Sequence, residues 1–245
     1  LSYTPLGPRE TGRGRSGRLP HSPERPFVSL LRTAAPAAAL LLLAVACRQV
    51  LADGPLLGPD RDLAAELRTA DAAARGLYQL LADLGNMAVA LPVFAVAAGW
   101  VLVRARSCWW PVCCTVPALV CVPVVVSGLK AWTGRCGPLG GEGYFPSGHA
   151  ATAAVAFGCA ALLLAEHAGP GGARAARPAA WSLWAAAAAL TAANGLGLVV
   201  RGYHWPLDVA ASWCLAVVLT AAASAAARRG PPRPGRRRRV APDRG

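Results

Sequence analysis

Residues 108–129 read CWWPVCCTVPALVCVPVVVSGL, 22 residues in a row without a charged side chain, and the next residue is Lys130. About 20 predominantly apolar residues in a helix cross the roughly 30 Å hydrocarbon core of a bilayer, so this run predicts a membrane span. Working outward from it, five further stretches qualify or nearly so: Val28 to Leu51, Leu77 to Val103, His149 to His167, Ala179 to Val200, and Leu207 to Ala227. The last three are rich in alanine, and small side chains let neighbouring spans approach closely. The expected fold is all-α, a polytopic membrane protein with a bundle of six transmembrane helices.

Composition supports that reading. The 245 residues are 55% hydrophobic and only 15% charged, with a mean hydropathy of +0.39. Soluble domains carry about 25% charged residues, and disordered chains are poor in apolar ones, so both classes are disfavoured. Residues 1–26 and 228–245 lack periodic apolar character and read as disordered basic tails around a membrane domain at 27–227. No short apolar run with a small-residue cleavage site lies near the start, so no cleavable signal peptide is expected.

The net charge of +13 is nearly all arginine, and it is unevenly placed. Arg9, Arg13, Arg15, Arg18 and Arg25 precede the first span. Arg104 and Arg106 follow the second, Arg174 and Arg177 follow the fourth, and Arg236 to Arg239 lie in the C-terminal tail. With six spans all of these fall on one side, which the positive-inside tendency makes cytoplasmic, both termini included. The acidic loop with Asp53, Asp60, Asp62, Glu66 and Asp71 falls on the outer side. The arginine tail then serves topology, and no nucleic-acid partner is expected. Trp109, Trp110, Trp181, Trp184 and Trp205 lie near predicted span ends, as interfacial anchors do. The eight cysteines form no CxxC pair with a histidine partner, so no metal site and no cofactor are expected.

Two outer loops break the charge pattern. One begins at Lys130, the only lysine in the chain, passes Arg135 and Pro138, and ends in Pro146, Ser147, Gly148, His149. The other reads Arg201, Gly202, Tyr203, His204, Trp205, Pro206, Leu207, Asp208. Charge beside a membrane span is costly and marks function by default. Cations neutralise phosphate oxygens, and a Ser-Gly step opening a helix offers a hydroxyl and free N–H groups. One histidine can attack phosphorus while another protonates the leaving oxygen. The spacing from His204 to Asp208 is one helical turn, which lets the carboxylate fix the imidazole tautomer.

These residues resemble the type 2 phosphatidic acid phosphatases (PAP2), whose site is shared with vanadium haloperoxidases. The family pattern runs K-x6-R-P, then P-S-G-H, then S-R-x5-H-x3-D. Lys130 and Pro138 match the first part, Pro146 to His149 the second, and His204 with Asp208 the third. Gly137 stands where the pattern has its first arginine, and Gly197 and Leu198 stand where it has Ser-Arg. The resemblance implies a membrane-bound hydrolase of lipid-linked phosphate monoesters or pyrophosphates. It implies His204 as the nucleophile that becomes a phosphohistidine, Asp208 as its orienting partner and His149 as the general acid. Lys130, Arg135, Ser147, Gly148 and Arg201 are the expected phosphate cradle, with Arg135 and Arg201 in place of the absent arginines. The expected partners are a lipid phosphate substrate and membrane lipids, and the expected setting is the outer face of the cytoplasmic membrane.

Overall fold

A computed structural model of the chain describes residues 26–69, 74–104, 109–167 and 177–231, with side chains described from Arg32 onward. The two expected tails lie almost wholly outside these residues. Among the described residues there are eight helices and no strand: α1 (Pro26–Leu51), α2 (Leu57–Arg68), α3 (Arg75–Asp83), α4 (Met87–Arg104), α5 (Trp109–Thr133), α6 (Gly148–His167), α7 (Arg177–Val200) and α8 (Pro206–Arg228). Six of them, α1 and α4 to α8, are long and apolar enough to cross a membrane.

The bundle is organised around α6. Two thirds of its apolar window is buried, against about a third or less for the other spans. Its sequence explains why: Ala150, Ala151, Ala153, Val155 and Ala156 are fully buried, and such small side chains let α4, α7 and α8 close on it from several sides. Leu40, Leu41, Leu42, Val96 and Val124 on the outer helices stay exposed in the isolated chain, as a lipid-facing surface requires.

The second span differs from the sequence expectation. The apolar stretch from Leu77 to Val103 is not one helix: α3 ends at Asp83, and α4 starts at Met87. Asn86 makes the break, its Oδ1 accepting the Ala88 N–H at 3.1 Å, a capping bond at a helix start. The turn at Gly85 lies directly against the His149 backbone. Asn194 of α7 pins the other side, its Nδ2 donating to the carbonyls of Leu81 and Ala82 at 3.1 and 2.8 Å.

Helices α2 and α3 are too short to span, since 12 residues cover only about 18 Å at 1.5 Å each. On α2 the buried stripe is Leu57, Asp60 and Ala64, spaced three and four apart as one helical face requires. Both helices lie at the end of the bundle where α6 and α8 begin.

Candidate active site

The P-S-G-H stretch opens α6 and the H-W-P-L-D stretch opens α8, and backbone bonds tie the two together. Ser147 caps α6, its Oγ accepting the Ala150 N–H at 3.3 Å. The Ser147 N–H donates to the Asp208 carbonyl at 3.2 Å. The Ser212 hydroxyl lies 2.8 Å from the Ser147 carbonyl and 2.7 Å from that of Asp208. All three groups are fully buried, where a lost partner is costly, so this seam is firm.

His204 and Asp208 stand as their spacing predicts. The His204 Nδ1 lies 3.3 Å from Asp208 Oδ2, which also accepts the Trp205 N–H at 3.1 Å. An ionised carboxylate only accepts, so the shared hydrogen sits on Nδ1 and the lone pair on Nε2 is free. The Tyr144 ring meets the His204 ring edge-on, with centroids 5.6 Å apart.

His204 and His149 line one cavity of about 370 Å³. Gln79, Asp83, Tyr144 and Tyr203 contribute its other polar groups. His149 is exposed to this space. A larger cavity of about 550 Å³, between α6, α7 and α8, holds no titratable side chain and lies away from both histidines.

The expected cradle residues are not all brought together. Lys130 is half-buried in the last turn of α5 and is not among the residues that line the cavity. Gly148 opens α6 beside the cavity residue His149. Ser147 is fully buried and spends its hydroxyl on its own helix. Arg201 stands one residue behind the cavity wall, its Nε donating to Gln79 Oε1 at 3.0 Å and its Nη2 reaching the Tyr203 hydroxyl at 3.4 Å. Arg135 is buried with its two Nη groups donating to two carboxylates, Asp208 and Asp60. Its guanidinium also lies over the Trp205 ring, as does that of Arg68.

The positions where the family pattern has arginine or serine are filled from elsewhere. A Cβ on Gly137 would stand 2.4 Å from two ring carbons of Tyr144. A Cβ on Gly197 would stand 2.4 Å from the Ala82 nitrogen and 2.7 Å from the Tyr78 carbonyl oxygen, both in α3. Contacts that short force something to move. Leu198 is fully buried apart from the face it gives to the cavity. Tyr144 and α3 therefore occupy space that the pattern's own residues would need.

Five site residues escaped the sequence reading: Asp60, Gln79, Asp83, Tyr144 and Tyr203. Asp83 carried a signal, being an acid inside an apolar stretch, where ionisable groups are rare and functional. Asp60 carried a weaker one, an acid on the apolar stripe of a short amphipathic helix.

Residues 114–230 match the model of the PAP2 superfamily. Among solved structures, the bundle is similar to the first transmembrane PAP2 type phosphatidylglycerolphosphate phosphatase from Bacillus subtilis. The TM-score is 0.69 at 16% sequence identity, covering 79% of this chain and 96% of that one. No curated protein matches the chain. The six-span fold read from the apolar stretches is thus similar to that of a solved PAP2-type transmembrane protein.

Proposed function

We propose, from a chain that carries the PAP2 superfamily pattern in its C-terminal half, that this protein is a membrane phosphatase. Its substrates on this reading are lipid-linked phosphate monoesters or pyrophosphates, of the phosphatidic acid or polyprenyl pyrophosphate kind. The observation that carries the reading is the pair of histidines on one cavity, with His204 held at 3.3 Å by Asp208.

In the proposed reaction the free Nε2 of His204 attacks phosphorus and the bond to the ester oxygen breaks. His149, in its protonated form, gives that oxygen a hydrogen, and the alcohol or phosphate leaves. Neutral again, His149 takes a proton from water, which attacks the phosphohistidine and releases inorganic phosphate. Lys130 and the backbone N–H groups that open α6 balance the phosphoryl oxygens, and Arg201 adds positive charge from behind Gln79 and Tyr203. Seating at the mouth of a bundle keeps the lipid tail in the bilayer while the head group enters the cavity. The arginine distribution supports an outer-face site with cytoplasmic termini in the cytoplasmic membrane.

The test is phosphate release by the purified protein in detergent from a panel of lipid phosphates and pyrophosphates, with vanadate as a pentacoordinate mimic. Turnover that vanadate blocks and His204→Ala abolishes is expected. A folded protein that turns over none of the panel refutes the enzyme.

A second reading has its own observation. With Tyr144 in the space of the first family arginine and Leu198 standing where the second would be, the site is less cationic than the pattern prescribes. A catalytically impaired protein that binds lipid phosphate without cleaving it would have such a site. His204→Ala separates the two, because a binder keeps its affinity for lipid phosphate and never had turnover to lose.

A further inference from the structure

Helix α2 lies outside the residues that carry the family pattern, yet one of its side chains is built into the site. Asp60 is buried, and its Oδ1 accepts the N–H of Leu207 at 2.7 Å, in the first turn of α8. Its Oδ2 takes Nη2 of Arg135, while Nη1 of the same guanidinium goes to Asp208 Oδ1. Asp208 keeps Oδ2 for His204 and for the Trp205 N–H. One line of contacts thus runs from Asp60 through Arg135 and Asp208 to His204.

The charges along that line matter more than the contacts. One carboxylate and one guanidinium would cancel, and Asp208 would face His204 as half of a neutral pair. With Asp60 present, two carboxylates share the guanidinium of Arg135, so the three bonded side chains carry one more negative than positive charge; the next cation, the Arg68 guanidinium, lies over the Trp205 ring. An imidazole that attacks phosphorus through Nε2 becomes cationic as the bond forms. A preorganised negative charge one contact away stabilises that cation, and low dielectric strengthens the effect. We propose that Asp60 is a positioning residue for phosphoryl transfer: it neutralises Arg135 so that the charge of Asp208 remains available to His204, and it fixes the start of α8. The inference rests on the reading of His204 as nucleophile.

Asp60→Asn removes the charge and keeps the cap, because the amide oxygen still accepts the Leu207 N–H, while the amide NH2 now meets Arg135 Nη2 donor to donor. Phosphate release is measured with phosphatidic acid in mixed micelles, or with polyprenyl pyrophosphate if that is faster, alongside the thermal midpoint of each protein. Asp60→Asn is expected to lower kcat on the order of tenfold with KM held, the size of loss that coupling within a charge network produces. Asp60→Asn/Arg135→Gln leaves Asp208 as the sole charge of the cluster, restoring the wild-type sum, and is expected to be faster than Asp60→Asn alone. A role confined to packing predicts a double variant whose thermal midpoint recovers while its kcat does not. Asp60→Asn with wild-type kcat, or a double variant no faster than it, overturns the proposal. Should only the double variant fold, turnover within tenfold of wild type supports the proposal and its absence overturns it. His204→Ala runs in the same series: if it retains turnover the nucleophile reading fails and takes this inference with it. If His204→Ala is inactive and Asp60→Asn is not slowed, the inference alone fails.

Discussion

Gly197 and Ala82 are packed backbone to backbone: a Cβ added at 197 would lie 2.4 Å from the Ala82 nitrogen. The family pattern has serine at this position, and here a serine has no room. Gly197→Ser is therefore expected to push α3 off α7 and to destabilise the protein by about 1–3 kcal/mol, the usual cost of overpacking. Thermal unfolding in detergent measures it. An unchanged midpoint would show that α3 yields without cost.

Restoring the first family arginine should fail for a related reason. Gly137→Arg drives its Cβ into the Tyr144 ring, which sits edge-on to His204. The single variant is expected to lose turnover, and Gly137→Arg/Tyr144→Ala to recover above it. Comparison of kcat/KM for the two proteins decides. A single variant that outperforms wild type would mean that Tyr144 moves aside freely.

Asp208→Asn tests the carboxylate against the imidazole. The amide can offer Nδ1 a hydrogen in place of accepting one, which puts the lone pair on the wrong nitrogen. A fall in kcat of roughly 100- to 10,000-fold is expected, the range in which a misplaced tautomer and a lost general base fall. Trapping of a phosphorylated enzyme from labelled substrate should fall in parallel. Undiminished trapping would remove Asp208 from the nucleophilic step.

His149→Ala should be sensitive to the leaving group. On the proposed reading an alkoxide needs a proton from His149, whereas p-nitrophenolate departs unaided. The loss is expected to be roughly 100- to 10,000-fold on a lipid phosphate monoester and much smaller on p-nitrophenyl phosphate. Equal losses on both would make His149 a binding residue and not a proton donor.

The spans, the two histidines and Asp208 were legible because each rests on local information. An apolar run announces its own length, and a turn of helix brings His204 to Asp208 whatever surrounds them. The break inside the second span was not legible, since the run from Leu77 to Val103 is apolar across it. Gly85 and Asn86 acquire meaning only against His149 and the capped start of α4. Arg135 shows the same limit from the opposite direction. One sequence separation of 75 residues joins it to Asp60 and another of 73 to Asp208, and no spacing rule reaches so far. The departures at 137 and 197 were visible as missing residues, while the bodies that fill their space are three-dimensional facts.

The order in which the chain is made gives the Asp60 line of contacts a further meaning. Asp60 is synthesised first, Arg135 next, and Asp208 only with the last span, Pro206–Arg228. Until that span enters the membrane, Arg135 has one carboxylate to meet and the imidazole of His204 has none. On the proposed reading, a nascent or truncated chain that lacks α8 would also lack the carboxylate that orients its nucleophile, so reactivity would wait on the last span.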